Sequence, residues 1–352
     1  MPRVARSLDS MTSEEMTLPF TKGHGTRNDF VLLDDRDAQW DLSPAQVRAL
    51  CDRHGGIVAD GVIRLVPIDA VEKQEVLEVT NSPQAQWLMD YRNADGTVAQ
   101  MCGNGVRVFT AFAEHLGLVD FDKTPNFPVA TRSGVKMVRK ESVCVDGSDQ
   151  AWFAVDMGQW TVSALPDAQV HVRGAGTFAG TSADLGNPHT VVHVPDVHTL
   201  TALDLSQMPQ VEPLPAQGTN VEFVALESLS EPHTPQSPSE PHLPSHEISD
   251  NKSGSVTVAR IAMRVYERGV GETQSCGTGC CAAALVSAAQ VQLALARSGQ
   301  SPDDEPDVWM VDIPGGGVRV RKLPGHRVEL AGPAQLTYSG TINLDRLTGP
   351  QP

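Results

Sequence analysis

The sequence predicts an α+β protein built from two similar, pseudo-symmetric domains, and three observations carry that prediction. A Cys-Gly-x-Gly turn occurs twice, as Met101-Cys102-Gly103-Asn104-Gly105-Val106-Arg107 and as Ser275-Cys276-Gly277-Thr278-Gly279-Cys280. The cysteines stand 174 residues apart, at 102 and 276, and an apolar run of helical character follows each. The same offset places Asn93 on Glu267, and the extended, glycine-ended stretch Trp152 to Gly158 on His326 to Gly332. Strand-like stretches also follow each helical run, Arg132 to Val138 and Gly315 to Arg321, and Asn28 to Leu33 echoes Asn187 to Val192 as turn residues entering a strand. A period this long marks a duplicated domain rather than a stacked solenoid unit. A chain of 352 residues has room for about two cores.

The elements follow in order. Residues 1–16 read as a disordered tail. From Leu18 to about Val145, short strands alternate with two helices. The first helix spans about Pro44 to Arg53, with Ser43 as N-cap and Pro44 at N1. The second follows Cys102 to about Leu116, where Gly117 ends it. Strands continue from Ala151 to Glu227. Residues 228–254 turn into Pro, Ser, His and Glu in low-complexity order between two strand signals, Asn220 to Leu226 and Ser255 to Tyr266. That composition reads as a disordered surface insertion, and its His233, His242 and His246 as solvated residues rather than metal ligands. The apolar run Cys280 to Ala296 is too short and too interrupted, at Ser287, Gln290 and Gln292, for a comfortable membrane span. It reads as a helix buried all round. An alternating strand, Leu336 to Leu344, closes a sheet.

Composition excludes several classes. With 27 basic and 43 acidic residues the net charge is −16, which argues against a nucleic-acid surface and for a soluble protein. The first sixteen residues hold two arginines and no apolar core, so no signal peptide is read there. Six cysteines without a secretory signal do not make a disulfide scaffold, and there is no paired CxxC for zinc. Cys276 and Cys280 are one helical turn apart, but Cys280 and Cys281, like Cys51 and Cys144, read as small apolar core residues. No metal site is expected.

The two remaining thiols suggest the chemistry. Each sits where a helix begins, where the dipole favours thiolate and free N–H groups favour a bound anion. Removing the α-proton of an amino acid builds negative charge beside a carboxylate. No pyridoxal phosphate signature stands out. The backbone donors near Gly103, Asn104, Gly277 and Thr278, with the Thr278 hydroxyl, would hold that charge. Inverting the stereocentre needs a base on one face and an acid on the other. Cysteine, with an ordinary pKa of about 8.5 that helix N-termini lower, lets thiolate and thiol coexist near neutral pH as one coupled unit. A disulfide-exchange pair is disfavoured by the wide spacing. A single nucleophilic cysteine with His24 or His189 as base stays open.

Six stretches in order resemble the diaminopimelate epimerase family over about Phe20 to Leu344. They are Gly23 to Val31, Arg92 to Gly96, Met101 to Arg107, Gly186 to His189, Asn220 to Phe223, and Tyr266 to Thr273 running into Ser275 to Gly279. The resemblance implies two domains, each a β-barrel-like sheet around a central helix, with the site in the cleft between them. The N-terminal domain would take residues 17–149 plus 337–349, because the last strand returns to it, and the C-terminal domain 150–336. It implies a cofactor-independent epimerase that interconverts LL- and meso-2,6-diaminoheptanedioate for lysine and peptidoglycan precursors. The protein would be cytoplasmic and commonly a homodimer, with a small-molecule substrate and no nucleic-acid or membrane partner.

Carried over residue by residue, Cys102 and Cys276 match the catalytic acid/base positions. His189 and Glu267 match supporting positions. Asn28, Asn93, Asn187, Asn220, Glu267 and Arg268 match positions that hold the substrate's distal ammonium and carboxylate, and Gly103, Asn104, Gly277 and Thr278 those around the reacting carboxylate. Carboxylate, guanidinium and amides complement such an end. Three positions depart from the family pattern: Gly61 stands where Gln is frequent, Val58 where Gly is frequent, and Arg27 adds charge before Asn28. The alternatives are a proline racemase or hydroxyproline epimerase, which typically shows His where Asn104 stands and needs no distal pocket, and a catalytically silent binding homologue. A phenazine-type isomerase would lack the cysteine pair.

Overall fold

The computed structural model describes residues 17–70, 85–145, 148–229, 257–301 and 304–348. The tail 1–16 and all but two residues of the insertion expected at 228–254 lie outside the described residues. The first half of the chain runs β1 (Thr17–Gly25), β2 (Asn28–Asp34), α1 (Pro44–Cys51), β3 (Gly61–Pro67), β4 (Trp87–Asn93), α2 (Gly103–His115), β5 (Asn126–Thr131), β6 (Gly134–Val145) and β7 (Ser148–Gln159). The second begins with β8 (Thr161–Val162), β9 (Ala168–Val172), β10 (Gly176–Asp184), β11 (Pro188–His193), α3 (Val197–Ala202), β12 (Gln210–Glu212) and β13 (Asn220–Leu229). It continues with β14 (Val258–Glu267), β15 (Gly271–Thr273), α4 (Gly277–Ser298), β16 (Val308–Ile313), β17 (Gly316–Leu323), β18 (Arg327–Pro333), β19 (Gln335–Asn343) and α5 (Leu344–Thr348).

Strand pairing repeats between the halves. β1–β2 is antiparallel, β2–β3 parallel, β3–β4 antiparallel, β4–β5 parallel, and β5–β6 and β6–β7 antiparallel. β10, β11, β13, β14, β16, β17 and β18 follow the same sequence of directions. β7 and β18 pair antiparallel and join the two sheets into one. The strand after each crosses over: β8 pairs with β10, and β19 returns to pair with β1. The offset legible in the sequence is thus a repeat of topology.

In each half the strands wrap one helix. α2 is buried along most of its length, with Val106, Val108, Phe109, Phe112 and Ala113 in the core. A side chain such as Phe109 contributes about 1.5–3 kcal/mol by leaving water. α1 and α3 cover the outside of equivalent strand pairs. Val47 and Leu50 pack on Val31, Leu33 and Val62, and Leu200 on Val192, Val221 and Phe223. α1 begins as the sequence predicts: Ser43 caps the Gln46 N–H, and the Gln46 side chain accepts from the Ser43 N–H. α3 lies in the stretch read as strands throughout. Asp196, accepting from the Thr199 N–H at 2.7 Å, was its legible start signal.

α4 corrects another expectation. Its first half, to Ala288, is buried, but Gln290, Leu293, Ala294 and Ala296 to Ser298 are exposed. The helix enters the core from one end rather than lying inside it, because the enclosing strands reach only its first three turns. α4 is long and apolar enough to cross a bilayer, yet it is the N-terminal part that is packed inside protein.

Candidate active site

Both expected cysteines stand at helix N-cap positions. Cys102 is the N-cap of α2 and Cys276 the N-cap of α4, each with extended backbone. The Cys102 Sγ accepts from the Gly105 N–H at 3.4 Å. The helices meet at these ends, because a Cβ built on Gly277 would lie 3.4 Å from the Gly103 Cα and 3.5 Å from the Asn104 N. Glycine at both positions lets two sets of unsatisfied helix N–H groups converge on one place.

Around Cys102, the Asn28 Oδ1 accepts from the thiol at 3.5 Å and from the Asn104 Nδ2 at 3.5 Å. Asp60 orients Asn28 by accepting from its Nδ2 at 2.8 Å. Asn104 reaches across to the segment before the other cysteine, donating to the Ser275 Oγ at 3.0 Å. Its own oxygen accepts from Arg107. The Arg107 guanidinium is fully buried and also donates to the Pro333 carbonyl at 2.9 Å and the Thr26 Oγ1 at 3.2 Å. Thr26 sits at the tip of the β1–β2 hairpin, and its hydroxyl is 2.7 Å from that of Ser275. One polar network therefore ties the turn before α4 to α2 and to the first hairpin.

Around Cys276, the Thr278 hydroxyl lies 3.7 Å from the Sγ and accepts from the Asn187 Nδ2 at 3.4 Å. The Glu267 carboxylate accepts from the Thr273 hydroxyl, and its charge acts on the Cys276 thiol. His189 Nδ1 meets the Glu222 Oε1 at 2.7 Å, with both side chains fully buried. Asn220 accepts the Arg268 backbone N–H at 2.9 Å. The Arg268 side chain is at the exposed rim, donating to the Gln217 carbonyl. Asn93, at the end of β4, donates to Thr97 of its own turn at 3.0 Å. Asn93 and Glu267 end equivalent strands, as their common offset from the cysteines implies.

The thiols differ from expectation in their ionisation. Burial pushes Cys102 up to about 11, reinforced by the Glu267 charge, while the N–H groups of Gly105 and Asn104 and the Arg107 charge pull the other way. Burial also raises Cys276 well above the ordinary thiol value, with Glu267 and Glu222 adding to it. At both cysteines desolvation outweighs the helix N-termini. Burial likewise raises the Glu267 carboxyl, suiting it to carry a proton. Cys51 and Cys280 are pushed up to about 12 by burial, as fits core residues. Cys281 is buried as well, and the Cys144 side chain lies outside the description. His24 is turned to its own hairpin, accepting the Arg27 N–H at 3.4 Å. Among the described residues no group of three His, Cys, Asp or Glu side chains is placed to hold a metal ion.

The structure accounts for Gly61 and shows the backbone that Arg27 and Val58 adopt. A Cβ on Gly61 would lie 2.6 Å from the Tyr91 ring and 2.5 Å from the Arg92 carbonyl. The ring of Tyr91, edge-on to Phe30 at 5.6 Å, fills the space next to this strand position. Arg27 (φ 63°) follows Thr26 (φ 49°) in the two-residue hairpin loop, whose twist calls for two left-handed residues. Val58 holds φ 65°, a conformation that favours glycine. Tyr91, Glu222, Ser275 and Arg107 were missed as site residues. The signal for Glu222 was its place two residues after Asn220 in a strand, which puts it on the same face.

A model of the family described as diaminopimelate epimerase matches residues 20–162 and 181–318. A diaminopimelate epimerase from Streptomyces coelicolor is 37% identical over 335 residues, covering 94% of this chain and 98% of the relative. One from Rhodococcus opacus is 40% identical over 335 residues, covering 93% and 97%. Among solved structures, a PhzF-family phenazine biosynthesis protein from Bacillus anthracis superposes with TM-score 0.58 at 11% identity, over 93% of this chain and 99% of that one. A hydroxyproline epimerase from Agrobacterium vitis gives 0.53 at 14%, over 95% and 94%. These two likenesses are of fold.

Proposed function

The chain belongs to the diaminopimelate epimerase family, and we propose on that premise that it interconverts LL- and meso-2,6-diaminoheptanedioate by proton transfer between two cysteines. The observation that carries this reading is the meeting of α2 and α4 at N-termini capped by Cys102 and Cys276. Substrate bound between them places its α-carbon between two sulfurs. Its carboxylate meets the N–H groups near Gly103, Asn104, Gly277 and Thr278, which stabilise the charge that builds as the α-proton leaves.

One thiol must lose its proton first. Glu267, whose charge acts on Cys276 and whose own carboxyl is raised by burial, takes that proton. The thiolate removes the α-proton from one face and the Cys102 thiol supplies a proton to the other. In the reverse direction the roles exchange. Asn28, beside Cys102, and Asn187, beside Thr278, belong with the residues that hold the substrate's distal end. Asn93, Asn220, Glu267 and Arg268 complement a second ammonium and carboxylate, which favours this substrate over proline. His189 supports catalysis through its contact with Glu222 and its field on Glu267. The reading includes independence from cofactors, a cytoplasmic role in lysine and peptidoglycan precursor synthesis, and a homodimer. It also includes the division of the chain into 17–149 plus 337–349 and 150–336.

The test is incubation in D₂O with LL-diaminopimelate and reductant, without added cofactor, and with L-proline in parallel. Deuterium at one α-carbon together with meso product is the expected result. Turnover of proline alone would move the chain to the racemase branch. Inactivity of folded, reduced protein on both would favour a binding role.

A further inference from the structure

We propose that Glu222 is a positioning residue for the Cys276 side of the site, holding His189 with its proton on Nδ1 so that Nε2 stays an open acceptor. His189 lies on β11 and Glu222 on β13, which pair in parallel with His189 opposite Asn220. Two residues on, Glu222 points to the same face as Asn220, toward the core. Both side chains are fully buried, and the Glu222 Oε1 meets Nδ1 at 2.7 Å. An ionised carboxylate only accepts hydrogen bonds, so the shared proton belongs to Nδ1, and a neutral imidazole then carries its lone pair on Nε2. Among the described residues neither Nε2 nor the Glu222 Oε2 has a partner. A buried polar atom left open in this way calls for an explanation.

The pair also adjoins the thiol. A Cβ on Gly279 would lie 2.8 Å from the Glu222 Oε1 and 3.2 Å from the Cys276 Sγ, so both atoms crowd one point that only glycine leaves empty. Around this sulfur stand Glu267 from β14, Glu222 from β13 and Thr278 of its own helix, with His189 from β11 near Glu267. Arg107 from α2 faces Cys102 and Cys280. Of these, Glu222 is the one that couples the charge beside Cys276 to the orientation of an imidazole. It acts through His189 and through its field, and needs no contact with substrate.

Three measurements on the full chain test this. Nitrogen-15 spectra of His189 in the wild type should show Nδ1 protonated and Nε2 bare near neutral pH; the opposite tautomer there overturns the proposal without any variant. Glu222→Gln removes the charge and the enforced tautomer. It should lower kcat about 10–100-fold with KM little changed, and shift the pH limb of Cys276 alkylation by iodoacetamide to lower pH. Glu222→Asp keeps the charge and so the limb, but withdraws from Nδ1 and loses the tautomer. Glu222→Gln with the wild-type tautomer, limb and kcat would refute the role. The kinetic arm rests on the epimerase reading, whereas the spectra and the alkylation do not, so an enzyme inactive on diaminopimelate would fail that reading and leave this one still tested.

Discussion

Gly103 and Gly277 touch at the point where α2 and α4 begin: a Cβ on Gly277 would sit 3.4 Å from the Gly103 Cα and 3.1 Å from the Leu330 Cδ2. Gly277→Ala should therefore press the Leu330 side chain back by a few tenths of an ångström, with Gly103 in ordinary contact beside it. Overpacking of this kind costs about 1–3 kcal/mol, and a misplacement of about 1 Å at the acid/base groups costs about 100-fold in rate. Denaturant unfolding and kcat/KM measured together check it. A variant that loses stability but keeps its rate would mean that the spacing of the helices does not set the chemistry.

Either cysteine alone should be insufficient. Cys102→Ala and Cys276→Ala should each lower epimerisation by at least about 10²–10⁴-fold while far-ultraviolet circular dichroism stays at wild type. Wild-type turnover by either variant would sink the two-base mechanism.

Because α2 and α4 abut at their capped ends, the two thiols stand in one small site. Diamide should abolish activity with the loss of two free thiols, and dithiothreitol should restore both. Full activity after oxidation, with a thiol titre that has fallen, would show that the cysteines react elsewhere.

The thiols also give an alkaline stability limit. Burial lifts Cys102 to about 11 and Cys51 and Cys280 to about 12, from an ordinary value near 9. The folded state binds these protons more tightly than the unfolded chain. Their contribution is thus complete below about pH 9 and is lost as pH rises toward 11–12. Urea midpoints at pH 8 and pH 10.5 should fall with rising pH; equal midpoints would contradict the burial.

At Gly61 a larger residue has no room. Gly61→Gln would place a Cβ 2.6 Å from the Tyr91 ring, costing about 1–3 kcal/mol. Combining it with Tyr91→Ala should recover part of that loss, read as non-additive midpoints in a double-mutant cycle.

How much of this was legible can be judged residue by residue. The capping of α1 by Ser43 and of α2 by Cys102 could be read because caps are local chemistry. α3 was missed because six residues with a mixed apolar pattern resemble a strand. The raised thiols of Cys102 and Cys276 were missed because sequence shows a helix N-terminus but not the enclosing walls that desolvate it. Glu222 looked like one acidic residue in a strand until its pairing put it beside His189.

By itself the sequence determined the duplication, the two cysteine-capped helices and the family, since repeats, turns and caps are encoded in neighbouring residues. Tertiary structure alone decided which groups surround each thiol, that Asn104 bridges to Ser275, and that burial overrides the helix dipoles. Those outcomes depend on segments more than a hundred residues apart being excluded from water together, and desolvation is a property of the assembled walls rather than of any one stretch of chain.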